Sequence, residues 1–135
     1  LPVVYFSFLA GAAALAAFDY MEENHTLAHV TQAAEFIQKR LNDMKDRLAF
    51  IGDVRGKGLL WGVELVKNHA MKEKATRLAE LTLYKCLELG LSLKVSDGNV
   101  ICLYPPLVSS IDELDDALNI LEQAMVYANS DSRAE

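Results

Sequence analysis

Two histidines, His25 and His29, stand four residues apart with Glu22 and Glu23 beside them. Imidazoles at that spacing can share a zinc ion, but a site needs a third ligand and H-E-x-x-H is absent. The same spacing is ordinary for a solvated helix surface. Lysines occur at 39, 45, 57, 67, 72, 74, 85 and 94. A lysine attacks a carbonyl compound only when burial or a cationic neighbour depresses its pKa. Most of these lie in charge-rich helices or turns; Lys57 and Lys94 lie nearest to strands. Gly56-Lys-Gly58 with Gly62 has the look of a reduced dinucleotide fingerprint. That motif follows a strand and opens a helix, whereas these glycines enter a strand. They predict a turn and a close backbone approach. Cys86 and Cys102 form no C-x-x-C and no metal-ligand spacing. Two separate thiols in a cytoplasmic domain are expected rather than a disulfide. No G-x-S-x-G and no P-loop is present.

The elements that must position these residues follow from periodicity. Ala10 to Met21 is alanine-rich and helix-favouring. A second helix is predicted from about Thr26 to Leu48, with Leu27, Val30, Ala34, Ile37, Leu41, Met44 and Leu48 as its apolar stripe. Either a short coiled coil or a helix docked on a sheet would use such a stripe. Gly52 to Gly58 breaks the pattern as a loop. From Leu59 the period becomes 2, with Leu59, Trp61, Val63 and Leu65 on one face. A third helix is predicted over about Ala75–Leu89, with Gly90 as C-cap. Leu91–Val95 and Val100–Tyr104 read as strands joined by an Asp97-Gly98 hairpin turn. Ser110 and Glu113 have capping-box spacing and open a last helix carrying Leu114, Ala117, Leu118, Leu121, Ala124 and Met125.

The predicted order is α-α-β-α-β-β-α. It describes an α+β fold: a small layered domain of three or so mainly antiparallel strands covered by about four helices. One domain is expected over residues 1–128, with a polar tail over 129–135. The chain has 135 residues, 52% apolar and 24% charged, which suits one core. A net charge of -6 argues against nucleic acid as a partner, because displacing counterions needs a basic surface. Leu1 to Phe18 carries no charged residue. It lacks the positive n-region of a secretory signal, and Pro2 and Gly11 interrupt it. A buried helix with a leader is expected there; a membrane or signal segment is the alternative.

Two ordered motifs resemble the C-terminal small domain of the class III aminotransferases, fold-type I enzymes that use pyridoxal phosphate (PLP). Gly52-Asp-Val-Arg-Gly-Lys-Gly58 is similar to the family's G-D-V-R-G-x-G. Asn99-Val-Ile-Cys-Leu-Tyr-Pro-Pro-Leu107 is similar to its last strand. Leu89-Gly-Leu-Ser-Leu93 with the Pro-Pro-Leu strand end resembles the dialkylglycine decarboxylase branch most closely. Ala10 to Glu23 looks like the helix after the family's Gly-Asn-Pro turn. The resemblance implies amino-group transfer between an amine or amino acid and a keto acid, a homodimer, and a large PLP-binding domain as partner. It also implies a Schiff-base lysine and an aspartate that holds the pyridine nitrogen. Both belong to the large domain, and neither has a matching motif here. PLP is expected in the parent enzyme and none bound to this chain alone, so the chain by itself is catalytically incomplete.

The sequence departs from the family at two places. Many members carry an arginine two residues after the Asn-Val of the last strand, where it grips the substrate carboxylate. This chain has Cys102 there, and Cys102 is the candidate substrate-binding position. A phosphate-contacting threonine precedes the first helix in the family; Val3 to Ser7 contains none. Two other readings stay open: a stand-alone binding or dimerisation module on the same scaffold, and a membrane-tethered domain.

Overall fold

A computed structural model describes residues 8–131. The chain runs α1 (Phe8–Glu23), α2 (Thr26–Arg47), β1 (Ile51–Lys57), β2 (Leu60–Asn68), β3 (Glu73–Lys74), α3 (Thr76–Glu88), β4 (Lys94–Ser96), β5 (Val100–Leu103) and α4 (Ile111–Asp131). The main sheet has the order β1-β2-β5-β4, with β3 paired to β2, and every pairing is antiparallel. The α+β layering holds, with two more strands than the sequence pattern predicts.

The first added strand corrects the expected loop. Residues 51–57 are β1, paired with β2 from Ile51↔Leu65 to Lys57↔Leu60. Glycines made the segment read as a loop. One of them instead makes room within the sheet. Gly56 faces Trp61 across the ladder, and a Cβ there would lie 2.4 Å from the indole Cδ2. The indole can lie over the strand only because the glycine has no side chain, and its Nε1 donates to the Gly58 carbonyl at 2.8 Å. The expected close backbone approach is therefore real, and it serves packing. The second addition, β3, is only two residues of a polar segment, too short to give a periodic signal.

The core lies between the sheet and three helices. Ile37, Leu41 and Met44 of α2, Leu78, Ala79 and Cys86 of α3, and Leu118, Leu121 and Met125 of α4 meet Trp61, Val63, Leu65 and Ile101. The predicted face of β2 is the buried one. In α2 the buried stripe takes Ala33 rather than Ala34, and Leu27 is 69% exposed. That helix docks on β1 and α4, the second of the two arrangements its stripe allows.

The turns are built as the sequence indicates. Asp97 and Gly98 both have positive φ, 51° and 78°, the requirement of a type I′ turn. Gly90, at φ 92°, closes α3: its N–H donates to Leu87 O and that of Leu91 to Cys86 O at 2.8 Å, a Schellman pair. Ser110 and Glu113 form the reciprocal capping box. From there α4 runs through fully buried Ala128, so 129–131 of the expected tail are helical.

The buried-helix expectation for the first segment is corrected. No residue of α1 is buried, and Phe8, Leu9, Leu15 and Phe18 are largely exposed. Its apolar residues lie all round the helix, so burying them needs partners on several sides, and among the described elements it packs mainly on α2. No helix among the described residues is long and apolar enough to cross a membrane. Val3 to Ser7 lies outside the described residues.

Candidate substrate-facing site on the open sheet face

Strand alternation sends one set of side chains to the helices and the other set away from them. On the outward face, four residues line up in one row across four strands. Arg55 pairs with Gly62, Gly62 with Cys102, and Cys102 with Lys94. The next row is Asp53, Glu64, Val100 and Ser96. Among the described residues the helices pack on the opposite face. Leu60, 64% exposed, and Tyr104, 57% exposed, mark how open this face is.

Charge along the row is uneven. Arg55 donates to Glu64 at 2.8 Å and to Asp53 at 3.2 Å. The bond to Glu64 and then that to Asp53 raise the guanidinium pKa further. Burial pushes the Asp53 carboxyl up, but hydrogen bonds from Lys45 and Arg55 outweigh it and hold it below its usual value. Arg55 is thus a neutralised cation. Lys94 is exposed, and no ion pair or side-chain hydrogen bond engages it among the described residues. Cys102 is half-buried between them, its Sγ 3.8 Å from the Val100 carbonyl.

The other candidates separate from this face. His25 sits at the N-cap of α2 with left-handed φ 49°, and its carbonyl accepts the His29 N–H at 3.2 Å to close the first turn. His29 bonds the Ser109 carbonyl at 2.7 Å, tying α2 to the loop before α4. No group of three metal-ligating side chains occurs among the described residues. Cys86 is fully buried, and desolvation pushes its thiol up to about 12. One cleft does adjoin the open face: an apolar hollow of about 310 Å³ between the end of β5 and α4, lined by Leu93, Cys102, Tyr104, Pro106, Leu114 and Leu118. Its few polar groups give it little chemistry.

PLP, which the resemblance implies, needs a lysine as its covalent anchor. None of this chain's eight lysines is buried, and Lys57 and Lys94, nearest to strands, are both exposed. The desolvated pocket that depresses a lysine pKa is missing at every one. These residues do not fit the cofactor's covalent anchor, and no chemical step is assigned to them. Sequence reading missed Arg55, Gly62 and Lys94 as companions of Cys102. Alternation places each on a face, but only ladder register puts them in one row.

The model of the class III aminotransferase family matches residues 7–125. The chain belongs to this family. It is 48% identical over 120 residues to (R)-1-hydroxy-2-aminoethylphosphonate ammonia-lyase of Vibrio splendidus, covering 89% of this chain and 25% of that protein. It is 40% identical over 117 residues to leucine/methionine racemase of Thermococcus litoralis, covering 87% and 26%. Among solved structures it resembles a phospholyase from Arthrobacter in complex with phosphoethanolamine, with a TM-score of 0.80 and 30% identity over 85% of this chain and 28% of that one. The chain spans about a quarter of the length of the curated relatives it matches.

Proposed function

We propose that the chain is the C-terminal small domain of a PLP-dependent enzyme that removes the amino group from a short amine carrying a phosphonate or phosphate instead of a carboxylate. The open sheet face is turned toward the cofactor-bearing large domain. When bound there, PLP supplies the electron sink for bond breaking at the amine-bearing carbon. This chain contributes the wall against which the other end of the substrate rests.

The observation that carries this reading is Cys102. A thiol sits on the open face at the position that, in the resembling family, holds the carboxylate-gripping arginine. A thiol offers no charge to a carboxylate. The 48% identical Vibrio relative and the Arthrobacter neighbour are named for an aminophosphonate and for phosphoethanolamine, and neither compound has a carboxylate. The dialkylglycine decarboxylase resemblance would assign loss of carbon dioxide, which a substrate without a carboxylate cannot undergo. The exposed apolar residues of α1 support further contacts with the large domain, and we propose a homodimer as the working form. The two free thiols suit a cytoplasmic setting.

The full-length parent, loaded with PLP, tests this directly. It should release the amine of 1-hydroxy-2-aminoethylphosphonate, with ammonia measured in the absence and presence of a keto acid. Ammonia released without a keto acid identifies a lyase; a new amino acid formed from the keto acid, with no ammonia released, identifies amino transfer. Turnover of α-amino acids alone, with no reaction of the aminophosphonate, would overturn the substrate class.

A further inference from the structure

We propose that Lys94 is the specificity-determining cation for the phosphonate or phosphate-monoester end of the substrate, reaching over Cys102 toward the hollow at Gly62. This deepens the reading above and rests on it, since it takes the open face to be the substrate's side.

Position comes first. Lys94 and Cys102 are register partners in the β4–β5 ladder. Cβ atoms of such partners lie about 4.5–5.5 Å apart, so a four-carbon stem can carry the ammonium across its neighbour. Space comes second. Cys102 is small and Gly62 has no side chain, so the row dips between Arg55 and Lys94. Val100 borders the dip on one side, its Cγ1 3.2 Å from where a Cβ on Gly62 would lie.

Charge decides which cation acts. Arg55 is held by Asp53 and Glu64 and has little net charge to offer. Lys94 has Cys102 opposite it and Ser96 two residues along on the same face, neither of them anionic. The nearby carboxylate of Asp97 is engaged by Lys74 at 2.7 Å. Ligand geometry follows from the donor. A planar carboxylate is matched best by a guanidinium fork, whereas an ammonium is a point charge with three rotatable donors. A tetrahedral oxyanion, with three oxygens and up to two charges, suits that donor better than a carboxylate does.

The test uses the full-length enzyme saturated with PLP, so that the cofactor's own phosphate site is filled. Methylphosphonate binding is measured by calorimetry for the wild type, Lys94→Gln and Lys94→Arg. KM and kcat are measured with 1-hydroxy-2-aminoethylphosphonate and with ethanolamine, which lacks the anionic end. Lys94→Gln should weaken methylphosphonate binding about tenfold or more, the scale of one hydrogen bond to a charged group. It should raise KM for the aminophosphonate far more than it changes kcat or the KM for ethanolamine, and Lys94→Arg should restore most of the binding. Equal methylphosphonate binding by wild type and Lys94→Gln, or none by wild type, overturns the proposal. If Lys94→Gln loses methylphosphonate binding while neither amine is turned over, the anion site stands and the amino-group reading fails.

Discussion

Asn99 and Leu65 exchange two hydrogen bonds across the sheet, one through the backbone and one through a side chain. Leu65 N–H donates to the Asn99 carbonyl at 2.8 Å, and Asn99 Nδ2 donates to the Leu65 carbonyl at 2.8 Å. The side-chain amide thus extends the ladder one step past β5, in a position 1% exposed. Asn99→Ala should remove one of two donors to the Leu65 carbonyl, which also accepts the Ala75 N–H at 3.1 Å. It should destabilise the chain by about 0.5–1.5 kcal/mol, the net worth of one hydrogen bond. Urea denaturation of the two proteins measures the difference, and unchanged midpoints would mean that water replaces the amide.

The hairpin beside it depends on Gly98. Its φ of 78° is strained for a β-branched residue, and a Cβ would lie 3.3 Å from Thr76 Cγ2. Gly98→Val should cost roughly 1–3 kcal/mol. Gly98→Asn, which tolerates the left-handed region, should cost less. The order of the two midpoints is the check.

Thiol reactivity should follow burial. Cys86 is fully buried with its pKa pushed up to about 12, while Cys102 is half-buried on the open face. Since the thiolate is the reactive form, native-state alkylation followed by peptide mapping should label Cys102 well before Cys86. The reverse order would place Cys102 away from the open face.

Acid should weaken the packing of α2 against α4. The hydrogen bond from Arg47 holds the Glu122 carboxyl below its usual value, and backbone and hydroxyl bonds from Ser110 do the same for Glu113 at the start of α4. A carboxyl with a lowered folded-state pKa stabilises the fold above its unfolded pKa. That stability is lost as pH falls through the folded value. Stability should therefore be flat near neutrality and fall below about pH 4–5. Glu122→Gln should flatten the acid limb, as read by thermal melts across that range.

Cys102→Arg in the full-length protein should improve binding of a carboxylate-bearing amine over its phosphonate counterpart. A guanidinium fork fits a planar carboxylate, and the new arginine would fill the hollow beside Gly62. The ratio of the two KM values is the measurement. A ratio unchanged from wild type would remove position 102 from the substrate's surroundings.

Local chemistry settled much of this in the sequence alone. Leu59, Trp61, Val63 and Leu65 could share a buried face only with a period of 2, and Asp97-Gly98 could accept positive φ where other pairs resist it. Ser110 and Glu113 had the spacing to cap α4. Each of these depends on residues within a few positions of one another, so composition and spacing reveal them. Tertiary structure decided the rest. Gly52 to Gly58 became a strand because β2 lies beside it and Trp61 needs the space over Gly56. Arg55, Gly62, Cys102 and Lys94 formed one row because three ladders fixed their register. α1, for which the sequence predicts burial, stayed exposed because α2 is the main described element packed on it and covers only one side. Pairing register and the presence of a packing partner are long-range properties, and no local pattern encodes them.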